Sequence, residues 1–113
     1  MSVVLLMSGC AEYTYNTDMV EKGAAEDAAI EKAEAEALTA CAHGQKPQDI
    51  PRREYVAYNN CRVGLAKSYV TPVVVFPELL NRFILTATEN AEQYAKGEIS
   101  FELLEAREQV ARD

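Results

Sequence analysis

Three cysteines and one histidine are the residues of this 113-residue chain that are best suited to metal or redox chemistry. Cys41, His43 and Cys61 could together supply three ligands to a zinc ion, because zinc binds thiolate and imidazole groups. Their spacing matches no familiar zinc motif, and the sequence specifies no fourth ligand. We therefore predict neither a metal site nor a cofactor.

Side chains that could act as nucleophiles, acids or bases are present, but their spacing is not typical of catalysis. Ser68 and His43 could form a triad with an acidic residue, yet no serine lies in a Gly-x-Ser-x-Gly turn. Glu31 and Glu34 are three residues apart, which on a helix usually indicates a solvated face. The chain also lacks a glycine-rich phosphate-binding loop. The sequence predicts that the protein is not an enzyme.

An apolar run that ends at Met7 is followed by the small residues Ser8 and Gly9 and then by Cys10. This segment resembles the lipobox of bacterial lipoproteins, in which a bulky apolar residue and two small residues precede the cysteine that receives the lipid. The resemblance implies that residues 1–9 are the remnant of a signal peptide and that Cys10 is lipidated.

The same resemblance implies a location for the protein. Residues 10–17 would be a polar, lipid-anchored tether. Ala11 follows the cysteine, and by the sorting rule of enteric bacteria a residue other than Asp at that position favours the outer membrane. We expect the protein on the periplasmic face of the outer membrane, held there by the lipid on Cys10. Without a true lipobox, the chain would be an unanchored cytosolic helical protein.

Lipidation of Cys10 would leave Cys41 and Cys61 as an even pair, which favours a disulfide in an oxidising compartment. A strict helical hairpin would place the two cysteines at different heights, with a mismatch of roughly 10 Å at a rise of 1.5 Å per residue. The connecting loop would have to climb back along the second helix before the Cα atoms could come within bonding range. The alternative is two separate buried thiols.

The hydrophobic pattern of residues 18–113 predicts a single all-α domain, a small bundle of about four helices. Asp18 and Glu21 form a capping-box pattern at the start of a long Ala- and Glu-rich first helix. This helix is expected to run to about His43 and to stop at Gly44. Its alanines favour helix formation but bury little apolar surface, so we expect it to dock loosely or to serve as an interaction arm.

A second helix is predicted from Pro51 to about Val70, with Asp49 as its cap. It carries tyrosines at helical spacing, which are more typical of a core or a helix interface than of a ligand site. The tyrosines are Tyr55, Tyr58 and Tyr69.

A buried crossover around Val73–Phe76, with extended backbone before each proline, is expected to lead into a third helix at about 77–96. The third helix has the strongest apolar stripe in the chain, which includes Phe83. Together with the crossover, it is the predicted core.

A fourth helix is predicted after Gly97, capped by Ser100 and ending near Ala111, with Ile99 and Leu104 forming a hydrophobic staple. The segment that surrounds this Gly stop and Ile-Ser start faintly resembles the short C-terminal helical hairpin modules called SHOCT. The resemblance implies a hairpin of the third and fourth helices.

The chain has 18 acidic and 11 basic residues and a net charge of −7. An acidic surface excludes a general nucleic-acid binder and electrostatic docking on anionic lipid headgroups. The combined observations predict a lipid-anchored envelope protein that acts through protein–protein interaction or has a structural role. The alternative is a module that binds or inhibits an envelope enzyme by presenting an acidic surface to a basic target.

Overall fold

The structure, a computed structural model, describes the backbone of residues 2–112 and the side chains of residues 19–112. The predicted signal-peptide remnant, the lipidation site Cys10 and the tether lie outside the residues whose side chains are described. The predicted start of the first helix at Asp18 was wrong, because the helix runs without a break from Ser2 to Glu36.

The fold is all-α with four helices, as predicted. The helices are α1 (Ser2–Glu36), α2 (Arg52–Val70), α3 (Pro77–Ala95) and α4 (Phe101–Arg112). Each helix packs against the next along the chain, α1 on α2, α2 on α3 and α3 on α4. Among the residues that the structure describes, no helix is both long and apolar enough to cross a bilayer.

The first helix ends in a widened turn. Ala37–Cys41 form a π-helical turn, in which the Ala42 N–H donates to the Ala37 carbonyl at 2.9 Å. Gly44 then adopts a left-handed φ of 82°, which costs a glycine little because it has no Cβ atom. Its N–H donates back to the Leu38 carbonyl at 2.8 Å. The predicted stop at Gly44 is therefore confirmed.

The core lies where α2, α3 and α4 meet. Tyr55 is 1% exposed, and its ring lies edge-on to that of Tyr94, with centroids 5.0 Å apart. Tyr58 and Leu104 are also buried, and Phe101 packs against the cluster. Such edge-to-face pairs add specific geometry to the burial of large apolar surfaces. The tyrosines of α2 are core residues, as their spacing favoured, except for Tyr69, which is half-buried beneath the Lys32 ammonium group.

The turn between α3 and α4 follows the predicted capping pattern. Gly97 has a left-handed φ of 79°, and the Ser100 hydroxyl accepts the Leu103 N–H at 3.1 Å. The staple residues Ile99 and Leu104 are both buried. These local interactions turn the chain back so that α4 packs on α3.

The predicted core at the crossover was wrong. Val73 and Phe76 are 36% and 54% exposed, and Phe83 is only half-buried. Thr71 is helical rather than extended, with φ −51° and ψ −43°, and begins a short 3-10 turn (Thr71–Val73). The buried residues of α3 lie in its second half, around Ala87, Asn90 and Tyr94, because only that half packs into the core.

Candidate functional site

Cys41 and Cys61 form a disulfide with their Cα atoms 5.6 Å apart. This pairing is possible because the loop before α2, which contains a 3-10 turn at Pro47–Asp49, runs back alongside the position of α2 before that helix begins. Ile50 in this loop is buried against the core, which holds the loop against the bundle. Asp49 belongs to the 3-10 turn, and α2 has no side-chain cap, so the predicted capping role of Asp49 was wrong.

The disulfide limits the metal chemistry that the cysteines and the histidine can support. Because both thiols are consumed, Cys41 and Cys61 cannot join His43 in a zinc site. His43 itself is exposed at the end of the first helix. Within residues 19–112, whose side chains the structure describes, no three His, Cys, Asp or Glu side chains cluster as metal ligands would.

The other candidate catalytic side chains point to solvent rather than to a shared site. Ser68 is exposed on α2, and Glu31 and Glu34 are exposed on α1. Glu34 forms an ion pair with Arg112, at 3.1 Å between carboxylate and guanidinium. Glu31 therefore lies on a solvated face of α1, as the spacing on the helix indicated, whereas Glu34 faces α4 through its ion pair with Arg112.

An open groove of about 950 Å³ is bordered by all four helices. Its lining is mainly apolar and includes Ile30, Val63, Val70, Leu80, Phe83 and Ile84. Five positions contribute only a methyl group, namely Ala33, Ala37, Ala66, Ala106 and Ala111. Because these side chains are small, they fill little of the space between the helices, which helps to keep the groove open.

A charged pair forms part of the groove lining. The Arg62 guanidinium makes a two-point hydrogen-bonded ion pair with the Glu108 carboxylate, and the side chains are 16% and 10% exposed. The Arg62 Nε also donates to the Asn59 Oδ1 at 2.8 Å, and Asn59 is fully buried. Each charge thus has a defined partner in a region from which water is largely excluded.

Burial and neighbouring charge shift the pKa values of this region in predictable directions. Burial alone would lower the pKa of Arg62, but the hydrogen bonds and negative charge of Glu108 outweigh it and the pKa is raised. Burial raises the pKa of the Tyr55 and Tyr58 hydroxyls, and the positive charge of Arg62 only partly opposes that effect. Arg62 therefore stays charged at neutral pH, while Tyr55 and Tyr58 beside it are neutral.

Comparisons of the chain with protein-family models, curated proteins and solved structures yield no match. The site must therefore be interpreted from its own geometry.

Sequence reasoning missed Arg62 and Glu108, although a signal for them exists. Arg62 lies on the tyrosine stripe of α2, seven residues after Tyr55, and Glu108 lies four residues after Leu104 on the buried face of α4. Two opposite charges, each on an otherwise apolar helical stripe, indicate a buried pair. The pairing of these two particular helices could not be predicted from either stripe alone.

Proposed function

We propose that this protein is a lipid-anchored helical domain of the bacterial cell envelope, located on the periplasmic face of the outer membrane, that acts by binding another envelope protein. The observation that carries the proposal is the Cys41–Cys61 disulfide. Disulfides form and persist in oxidising compartments such as the periplasm and are rare in the cytosol. The pairing leaves Cys10 as the one remaining cysteine, in the position that a lipobox requires.

The groove supports a binding role. Ligand sites are typically concave and mostly apolar, with few polar groups, and this description fits the groove and its Arg62–Glu108 pair. Of the two candidate catalytic carboxylates, Glu31 lies on a solvated face, and Glu34 lines the groove but is paired with Arg112. We therefore favour a binding protein over an enzyme, and an inhibitor of an envelope hydrolase is one form that such a protein could take.

Lipidation is tested by labelling cells that express the full chain from its natural start with radioactive palmitate. We expect label on the wild-type protein and none on Cys10→Ala. The matched control is a Cys41→Ala/Cys61→Ala variant, which should keep the label because its substituted cysteines are not the acceptor. An intact mass with an unmodified Met1 start would contradict the proposal.

Binding is tested separately by purifying the full chain with its partners from envelope membranes. Recovery of a defined partner with the wild-type protein, and its absence with a groove variant such as Phe76→Ala, would support the binding role. If that partner is a hydrolase whose activity falls on addition of the protein, the inhibitor form is correct.

A further inference from the structure

Several large apolar side chains that line the groove between α1 and α4 are exposed to solvent. Leu38, Phe76 and Leu79 line it and are 46%, 54% and 45% exposed. The three side chains come from the end of the first helix, the crossover and the start of α3. Large exposed apolar residues distributed along an apolar groove are typical of a surface that another molecule covers.

The charged residues of the groove are predominantly acidic. Five glutamates and two arginines line it, and both arginines are paired, Arg62 with Glu108 and Arg112 with Glu34. Glu102 and Glu105 on α4 are exposed and make no hydrogen bond or ion pair with the part of the chain that the structure describes. The groove therefore presents uncompensated negative charge next to apolar surface, which favours an occupant with basic flanks.

The dimensions of the groove match a short helix. The lining residues of the first helix and its π-helical turn run from Glu26 to Leu38. Those of α4 run from Phe101 to Arg112. Each stretch is roughly 16–18 Å long at 1.5 Å per residue. A volume of about 950 Å³ accommodates much of a three-turn helix whose diameter is about 10–12 Å. Helix-in-groove binding uses apolar anchors at helical spacing on one face of the guest.

We propose that this groove binds a basic amphipathic helix of a partner protein. The inference deepens the proposed function, because it specifies the chemistry of the partner. A second copy of this chain fits less well, because its net charge of −7 repels an identical chain. Its own Arg52, Arg62, Arg107 and Arg112 are already engaged in internal hydrogen bonds or ion pairs.

The test uses the full chain and a fluorescent synthetic helix of about 14 residues, with leucines on one face and lysines on its flanks. A second peptide with every lysine replaced by glutamate is the charge control. Fluorescence anisotropy gives the dissociation constant of each. We expect the lysine peptide to bind at least about tenfold more tightly than the glutamate peptide, with affinity that falls as salt is added.

Matched variants locate the binding surface. Glu102→Lys/Glu105→Lys should weaken binding of the lysine peptide by at least about tenfold, whereas Glu89→Lys/Glu98→Lys, with the same charge change at exposed positions outside the groove, should stay within about twofold to threefold. Phe76→Ala should weaken binding, and Leu85→Ala, 59% exposed but not in the groove, should not. All six substituted residues are exposed, and circular dichroism verifies that each of the four variants is folded.

Several outcomes would overturn the inference. No binding of the lysine peptide, or equal weakening by both charge-reversal variants, would show that the groove does not select a basic helix. Sedimentation that reveals a dimer disrupted by Phe76→Ala would make the groove a self-interface. Binding of a fluorescent fatty acid, lost in Phe76→Ala while the peptide fails to bind, would make it a lipid site. Because these measurements do not depend on Cys10, their failure is distinct from failure of the palmitate test.

Discussion

Arg62 and Glu108 show how a pair of opposite charges can replace apolar contacts in a small core. Both residues lie on helical faces that are otherwise apolar, and their side chains are largely shielded from solvent. Removing one charge of such a pair is costly, because the other then stays in a low-dielectric environment without compensation. The pair therefore joins α4 to α2 through two hydrogen bonds.

We predict that Glu108→Ala lowers the free energy of unfolding by about 3–5 kcal/mol, because it leaves the Arg62 guanidinium buried and unpaired. The control is Glu105→Ala, an exposed position on the same helix, which should change stability by no more than about 0.5 kcal/mol. Urea denaturation followed by circular dichroism measures both. Similar losses in the two variants would contradict a specific role for the pair.

The tyrosines next to this pair predict a loss of stability at alkaline pH. Burial raises the pKa of Tyr55 and Tyr58, so the folded protein keeps both hydroxyls protonated above the ordinary tyrosine value. Their stabilising contribution is complete below about pH 10, the unfolded value. It decreases as the pH rises further, because only the unfolded chain then loses these protons.

Denaturation midpoints measured from neutral pH to pH 11 should show this decrease, and spectroscopic titration should find a late-ionising fraction of the tyrosines. Tyr58→Phe should have a shallower alkaline slope than the wild type, since it removes one of the two shifted groups. An unchanged slope would mean that the loss arises elsewhere in the chain.

At the scale of the elements, the first helix depends on its disulfide. The turn Ala37–Cys41 is buried at both of its ends, but residues 19–36 before it, the part of α1 whose side chains are described, mostly expose alanines and charged residues. An alanine-rich face contributes little burial, so the covalent bond to α2 replaces packing that larger side chains would have supplied.

We predict that the Cys41→Ala/Cys61→Ala variant loses about 3 kcal/mol of stability, as loop-closure entropy suggests for a separation of 20 residues. Hydrogen exchange should show the change first in α1 and the 42–51 loop, while α3 and α4 keep their protection. Reduction of the wild-type protein should reproduce the effect. Uniform loss of protection across all four helices would contradict a local role for the bond.

The elements also show what a sequence can specify. Helix ends at Gly44, Gly97 and Ser100 were predictable, because capping depends on a few neighbouring residues. The position of the core was not predictable. Phe83 belongs to the strong apolar stripe of α3 but faces the groove, whereas the buried half of α3 includes the polar residue Asn90. Burial depends on which helices meet, and periodicity gives no information about that.

For the molecule as a whole, the core is concentrated at one end of α3. Leu104 is 1% exposed within it, and the half-buried Phe83 lines the groove. The two residues therefore test where the stabilising contacts lie.

We predict that Leu104→Ala costs about 2–5 kcal/mol, because it creates a cavity in a packed region. Phe83→Ala should cost less than about 2 kcal/mol despite removing a larger side chain, because part of that side chain already contacts solvent. Thermal or urea denaturation of the two variants decides the order. The reverse order would place the core at the groove.

The disulfide also determines how mechanical force passes through the chain. A pull applied along α1 reaches Cys41 and passes directly through the sulfur–sulfur bond into the middle of α2, so the loop and the first half of α2 carry no load. Residues 42–60 cannot be drawn out while that bond is intact, and they add nothing to the extension of the unfolded chain. In a protein held at a surface by its first residues, a covalent bond rather than side-chain packing would thus keep tension away from the 42–51 loop.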